Sequence, residues 1–379
     1  MVVEVWTKMN ILLITDKLIT GGAETYFCKL ENQLQHPNSN FYYSAASGEM
    51  QKSIKHKDQF SELSRTKHAQ NIKKLREIII EKQIDMIHAN SLRMVLYSIL
   101  LKKLTKTKVK IVYTKHNVTI LEKKIPVVFR FLLNRYVERI ITVCDFEKMS
   151  LLKIGVKLDK ITTVYNGVDL KQFIFQKKEK REGFKIGILG RLSAEKNHAL
   201  FVEIANKLRD VSSLMFYIAG DGPERQAIQN RIQSYNLAHK IKMVGAVSQP
   251  EDFLRDMDLI LLTSLREVFP MVILEAMAVG TPIISINIGG IGEAIIDKQT
   301  GYLIAEHSVE DIIEKILQIQ SEEDMRHQMI ENARRKVESE FSLEQMVDQT
   351  IKVYWSAPNE PSGLPIEAKD RDVFDESIQ

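Results

Sequence analysis

Glu267 and Glu275 are the residues whose type and spacing most directly suggest chemistry. They lie in the stretch TSLREVFPMVILEAMAVGTPIISINIGGIGE, residues 263–293, with seven residues between them. Pro270 stands where a helix would begin, at the position that needs no backbone N–H donor. MVILEAMAV follows and is apolar except at Glu275. Gly280 ends the helix, and TPIISI, rich in β-branched residues, reads as a core strand. A carboxylate in an apolar helix is costly unless something pairs with it. At a rise of ~1.5 Å per residue, Glu275 lies roughly 8 Å along the axis from Pro270. A ligand across this helix N-terminus could meet Glu267 at one end and Glu275 at the other. A diphosphate in between would face the backbone at Phe269, Pro270, Met271 and Val272 and the positive end of the helix dipole. Sugar, diphosphate and ribose in a row make a nucleotide-sugar. The same residues also allow a plainer arrangement, with Glu267 solvated on a loop and Glu275 a paired core carboxylate.

Other candidates lie where strands end. Arg191 and Lys196 flank a loop between the strand KIGILG and the helix HALFVEIANKL. Two cations there could hold a diphosphate from the side opposite the glutamates, or be a solvated surface pair. The loop lacks the G-x4-G-K-[ST] spacing of a Walker A motif. Gly220 and Gly222, before Pro223, would let a nucleotide approach closely or make an ordinary turn. GGIGEAI is a glycine turn that could pass under a sugar or phosphate. In the first half, GGAE follows the first strand, and Gly22 would let a ligand approach a helix start. His88 and Asn90 end the strand DMIHAN, and His116 ends KIVYTKH, each a site candidate or a structural histidine or cap.

These candidates need a scaffold, and the pattern supplies one. Short β-branched runs alternate with amphipathic segments through both halves, which argues for parallel sheets with helices on both faces. In such sheets, ligands bind outside the carboxyl ends of the strands. At 379 residues the chain is long enough for two domains. Its net charge of +4 gives no reason to expect nucleic acid. No apolar run is long enough to span a membrane, and ILLI near the start is too short for a signal peptide. Cys28 and Cys144 form no metal-ligand pattern and fit a reducing, cytoplasmic setting.

REVFPMVILEAMAVGTPII, with its E-x7-E spacing, resembles the retaining glycosyltransferases of the GT-B fold, family four, also described as glycosyl transferases group 1. The resemblance extends over residues 1–357, through GGAE, His116, the NGVD turn with Asn166 and Gly167, and GR…EKN at Arg191 and Lys196. It implies a GT-B architecture: two Rossmann-like, doubly wound α/β domains facing a cleft. The N-terminal, acceptor-side domain would span 1–167, a linker 168–184, and the nucleotide-sugar-binding domain 185–342. A helix at 343–357 would cross back onto the first domain, and the acidic, proline-containing segment 358–379 reads as a disordered tail. Catalytic roles would fall to Glu267, His116, Arg191 and Lys196. The donor would meet Gly22, Arg191, Lys196, Gly220, Phe269, Pro270, Met271, Val272 and Glu275. Two departures stand out: Val268 where glycine is usual after the first glutamate, and Cys144-Asp145 where serine-glutamate is commoner.

The implied activity is retaining transfer of a sugar from a nucleoside-diphosphate donor to an acceptor hydroxyl. A UDP-sugar is favoured over a GDP-sugar, and bacterial polysaccharide, lipopolysaccharide or another glycoconjugate is the expected product. No cofactor is expected. Two Asp-x-Asp triplets, Asp256 with Asp258 and Asp370 with Asp372, lie away from the ligand edge or in the tail, so no metal is expected either. Residues 101–140 hold eleven Lys or Arg against Glu122 and Glu138. IPVVFRFLLNRYVERI within them, with Arg130, Arg135 and Arg139, reads as a solvated helix face or a basic amphipathic contact with an anionic membrane. The resemblance implies a saccharide or lipid-linked acceptor, and it favours the membrane contact, at the inner face of the cell membrane, over the solvated face. A nucleotide-sugar epimerase of the same fold, needing no acceptor, and a non-catalytic partner subunit are the alternatives.

Overall fold

Runs of Ile, Leu and Val too short for helices form strands buried on both faces, because helices cover each sheet from either side. A computed structural model describes residues 8–19, 21–178 and 182–356. The expected tail at 358–379, and Asp370 and Asp372 with it, lies outside them, as does part of the linker.

The first sheet contains β1 (Met9–Lys17), β2 (Ser39–Ala46), β3 (Phe60–Leu63), β4 (Met86–Ala89), β5 (Lys110–Lys115), β6 (Arg139–Thr142) and β7 (Ile161–Thr163). Its order is β3-β2-β1-β4-β5-β6-β7. The second contains β8 (Phe184–Leu189), β9 (Leu214–Ala219), β10 (Ile241–Gly245), β11 (Leu259–Leu262), β12 (Ile283–Ile286) and β13 (Tyr302–Ile304), in the order β10-β9-β8-β11-β12-β13. Neighbouring strands are parallel, as in β1 with β4 and β11 with β8. In each sheet the winding reverses beside the first strand, between β1 and β4 and between β8 and β11. A crevice opens at that reversal on the carboxyl edge. This is the GT-B arrangement of two doubly wound domains.

Two elements had no signal in the sequence pattern. β3 is a four-residue edge strand with only Leu63 buried, and the Asp145–Lys153 helix buries only Glu147 and Leu151, so neither has an apolar period. The helix after β9 begins at Arg225, two residues beyond Pro223.

The NGVD turn joins the domains. Val168 N donates to Phe341 O at 2.9 Å, and Leu343 N donates to Val168 O at 2.9 Å. Ser342 caps the final helix, Leu343–Trp355, by accepting from Gln345 N. That helix packs Met346, Val347, Val353 and Tyr354 among Ile11, Leu13, Phe27 and Tyr43 of the first domain. Chain from the far side of the second domain thus completes the first domain's core.

Candidate active site

The loops at the β8/β11 reversal are stitched together by hydrogen bonds. Thr263 Oγ1 donates to Lys196 O and Asn197 O, both at 3.0 Å, and Leu265 N donates to Glu195 O at 2.8 Å. Lys196 Nζ donates to Glu267 Oε1 at 2.5 Å, and Ser264 Oγ donates to the same oxygen at 2.7 Å. These three side chains, with Gly190, His198 and Val272, line a small cavity. His198 is buried, and its pKa is lowered to about 4 by burial, with Lys196 nearby adding to the shift. Arg191 is exposed at the end of β8.

The helix below this pair is Met271–Val279, closed by Gly280 at φ 84°. Pro270 is its N-cap rather than its first helical residue. A proline carries no N–H, so Pro270 cannot donate to a phosphate, and the free donors of this turn begin at Met271. No side chain caps this terminus. Phe269 turns its ring into the core against Tyr165 and Phe341, and its carbonyl accepts from Asn166 Nδ2 at 3.2 Å.

Glu275 is half-buried further along this helix. Burial raises its pKa, Lys29 of the first domain partly offsets that rise, and Glu251 adds to it. Lys29, on the Gly22–Gln33 helix, donates to Gly167 O at 2.9 Å. Burial lowers its pKa, opposed by Glu275 and then Asp169. The carboxylate in the apolar helix is therefore balanced from the other domain.

At the β1/β4 reversal of the first domain, Asn90 links the first turn of the Gly22–Gln33 helix to the residue that follows β5. Its Nδ2 donates to Ala23 O at 2.8 Å, and its Oδ1 lies 2.8 Å from His116 Nε2, which must donate because the oxygen can only accept. Tyr26 meets the His116 ring edge-on, with centroids 4.7 Å apart. Burial lowers the His116 pKa to about 3, with His88 and Lys115 adding to it, so the ring is neutral. His88 is structural: its nitrogens meet Tyr354 OH and Thr114 Oγ1, each at 2.6 Å, tying β4 and β5 to the final helix. Gly22 is exposed, and an added Cβ would meet nothing within 4 Å, so no protein atom requires glycine there.

Gly220 has a packing reason to be glycine. A Cβ there would sit 1.8 Å from Gly190 O, so close approach of two strand ends requires it. Asp256 and Asp258 are held at the amino edge of the sheet, where Lys185 Nζ and Lys185 N donate to them at 2.8 Å each. Among the described residues, no group of three or more His, Cys, Asp or Glu side chains could hold a metal ion. Sequence reasoning missed Lys29 and Ser264. A lysine amid Tyr26, Phe27 and Leu30 on one helix face, and a serine three residues before Glu267, were the available signals.

The second of these two doubly wound domains thus carries a cation–carboxylate pair over an uncapped helix N-terminus. The family comparison gives the class. Residues 20–172 match the Glycosyltransferase Family 4 model, and residues 170–336 match Glycosyl transferases group 1. The chain belongs to this glycosyltransferase family and has its GT-B fold.

Among curated proteins it is 26% identical over 297 residues to the N-acetyl-alpha-D-glucosaminyl L-malate synthase of Bacillus anthracis, covering 74% of this chain and 77% of that one. It is 28% identical over 214 residues to the UDP-Gal:alpha-D-GlcNAc-diphosphoundecaprenol alpha-1,3-galactosyltransferase of Escherichia coli, covering 55% and 54% of the two chains. Among solved structures, Anabaena HepE in complex with UDP and glucose superposes with a TM-score of 0.79 at 17% identity, covering 92% of this chain and all (100%) of that one. The lipopolysaccharide outer core galactosyltransferase WaaB gives 0.70 at 19% identity, covering 91% and 99%.

Proposed function

We propose that this glycosyltransferase moves a sugar from a UDP-sugar, with a GDP-sugar as the second choice, to an acceptor hydroxyl, with retention and without a metal ion. The Lys196–Glu267 pair above the uncapped helix start carries this reading. The 185–342 domain binds the donor. Glu275 takes the ribose hydroxyls, and the Met271 and Val272 N–H groups, Arg191 and Lys196 take the diphosphate. Glu267 takes the sugar hydroxyls, and neutral His116 approaches the sugar from the 1–167 domain, beside Gly22. Nucleotide-bound HepE shares the fold, and the E. coli relative is named for a UDP-sugar donor.

The chemistry follows from those positions. The acceptor oxygen bonds to the anomeric carbon on the face from which the diphosphate departs. The bond from that carbon to the diphosphate oxygen breaks, and the acceptor's proton passes to the departing diphosphate. Charge grows on the diphosphate in the transition state, where Lys196, Arg191 and the helix dipole stabilise it.

The acceptor reading is a lipid-linked or saccharide substrate of glycoconjugate assembly, met at the inner face of an anionic membrane. Ile120, Ile125, Val127 and Phe131 are exposed beside Lys123, Lys124 and Arg130, which supports it. Two cations of the 101–140 block do not contribute to that surface. Lys115 is fully buried against Glu122 and Glu147, and Arg139 is buried on β6. Among the described residues, no helix is long and apolar enough to cross a membrane.

The test is a panel of nucleoside diphosphates and nucleotide-sugars scored by thermal shift, followed by turnover with the best donor with and without acceptor. A ligand that binds the folded state raises its apparent stability. Stabilisation by UDP and one UDP-sugar, with product only when acceptor is present, supports the reading. A new sugar isomer from donor alone would make the protein an epimerase, and binding without either product would make it a non-catalytic subunit.

A further inference from the structure

Two residues that depart from the usual family pattern touch across the domain boundary. The Cys144 thiol donates to Val268 O at 3.7 Å, and Gly290 N donates to the same carbonyl at 2.7 Å. The glycine turn GGIGE packs directly on this loop. A Cβ at Gly289 would lie 2.2 Å from Glu267 O, and one at Gly290 2.7 Å from Val268 O and 2.8 Å from Cys144 Sγ. The turn therefore supports the loop that carries Glu267.

Glu293, at the end of that turn, reaches the other domain. Its Oε2 accepts from Asp145 N and its Oε1 from Phe146 N, both at 2.7 Å. Those are the first two N–H groups of the nine-residue Asp145–Lys153 helix, which no side chain of its own cap residue satisfies. A carboxylate there answers two orphan donors and the helix dipole at once. The Tyr165 hydroxyl donates to the neighbouring Asp145 Oδ2 at 3.4 Å. Asp145 is turned aside, accepting from Thr163 Oγ1 at 2.5 Å. A second-domain carboxylate is thus the bidentate cap of a first-domain helix.

We propose that Glu293 is a positioning residue: by capping the Asp145–Lys153 helix across the domain boundary, it fixes the closure that holds the Val268 carbonyl, and so Glu267, in register with the first domain. This rests on the reading of Glu267 as the sugar-contacting carboxylate. Both Glu293 oxygens are engaged by the Asp145 and Phe146 amides. Glu293 acts through the glycine turn and Val268, and closure of this kind governs whether reacting groups are aligned.

The test compares E293A and E293Q with wild type in the full chain. E293A should lower kcat roughly tenfold to a hundredfold while UDP affinity changes less than about threefold, since the nucleotide contacts lie elsewhere. Glutamine keeps one acceptor oxygen, so E293Q should recover a substantial part of the lost kcat. Hydrogen exchange of the Asp145 and Phe146 amides should speed up in E293A, with the β8–β13 core unchanged. Wild-type kcat in E293A despite faster exchange at those amides overturns the proposal. Loss of UDP binding and of global stability together would assign Glu293 a folding role and overturn it as well. E267A separates the two layers: if it keeps full kcat, the sugar-site reading fails whatever E293A does.

Discussion

Lys196 and Glu267 come from loops seventy-one residues apart, yet the ammonium donates to the carboxylate at 2.5 Å. The pairing holds the glutamate's charge against a cation, and Ser264 fixes the same oxygen from its own loop. A donor diphosphate would compete with Glu267 for Lys196. Lys196→Ala should therefore cut kcat by about a hundredfold, because diphosphate charge is largest in the transition state. Turnover should survive a chelator. Loss of activity with chelator, restored by magnesium or manganese, would show that a metal shares the work of Lys196.

The two carboxylates should separate kinetically. Glu275→Ala should weaken UDP and UDP-sugar alike, since both carry the ribose. Glu267→Ala should lower turnover more than nucleotide affinity. A lost hydrogen bond to a charged group costs roughly 1.5–3 kcal/mol, or about tenfold to a hundredfold. Wild-type titration curves and kinetics in both variants would remove these residues from the site.

Lys29 and Glu275 predict a pH-dependent stability. Burial holds the Glu275 carboxyl above its ordinary 4.5, so its favourable contribution is complete below that value and is lost as pH rises through the elevated one. Lys29 limits the rise. In Lys29→Met the carboxyl should move further up, and the variant should match wild type near pH 4.5 and fall behind it by roughly 1–3 kcal/mol near pH 8. Adding Glu275→Gln should restore most of the loss. Denaturant unfolding at the two pH values measures both, and a Lys29→Met curve parallel to wild type would refute the pairing.

His116 should act uncharged. Burial lowers its pKa to about 3 and that of His88 to about 3, so neither titrates near neutrality. The kcat/KM profile should lack a histidine step between about pH 6 and 8. His116→Asn should slow the reaction roughly tenfold by the loss of a neutral hydrogen bond, without changing the profile's shape. A step near 6.5 that disappears in the variant would contradict a neutral ring. For stability the sign is the reverse of that for Glu275. A lowered histidine stabilises fully above 6.5, and that contribution is lost as pH falls toward 3.

The basic first-domain face predicts salt-sensitive membrane binding. Ile120 is 75% exposed, Val127 61% and Phe131 58%, among exposed Lys123, Lys124, Arg130 and Arg135. Each cation near an anionic surface contributes about 1 kcal/mol, screened within a Debye length. Sedimentation with acidic-lipid vesicles should be strong at low salt and weak at high salt. Equal binding to neutral vesicles, or none at low salt, would argue for a soluble acceptor.

Local pattern was enough for most of the scaffold. Alternating strands and helices, Gly280 as a helix stop and TPIISI as a core strand (β12) all come from residues near one another in the chain. So does the place of Glu275 along its helix, because a helix converts sequence separation directly into distance. Short elements without an apolar stripe, β3 and the Asp145–Lys153 helix, left no such trace.

What the sequence by itself determined is this periodic framework, the positions of its carboxyl edges and the residue types available there. Only the tertiary structure decided which charges meet. Lys115 and Arg139 looked like surface cations until sheet packing buried them. Lys29 and Glu293 had no visible role until the domain boundary set one near Glu275 and the other on the Asp145 and Phe146 amides. Pairings between residues far apart in the chain depend on winding order and domain closure, which no local period encodes, and burial then makes those pairings matter.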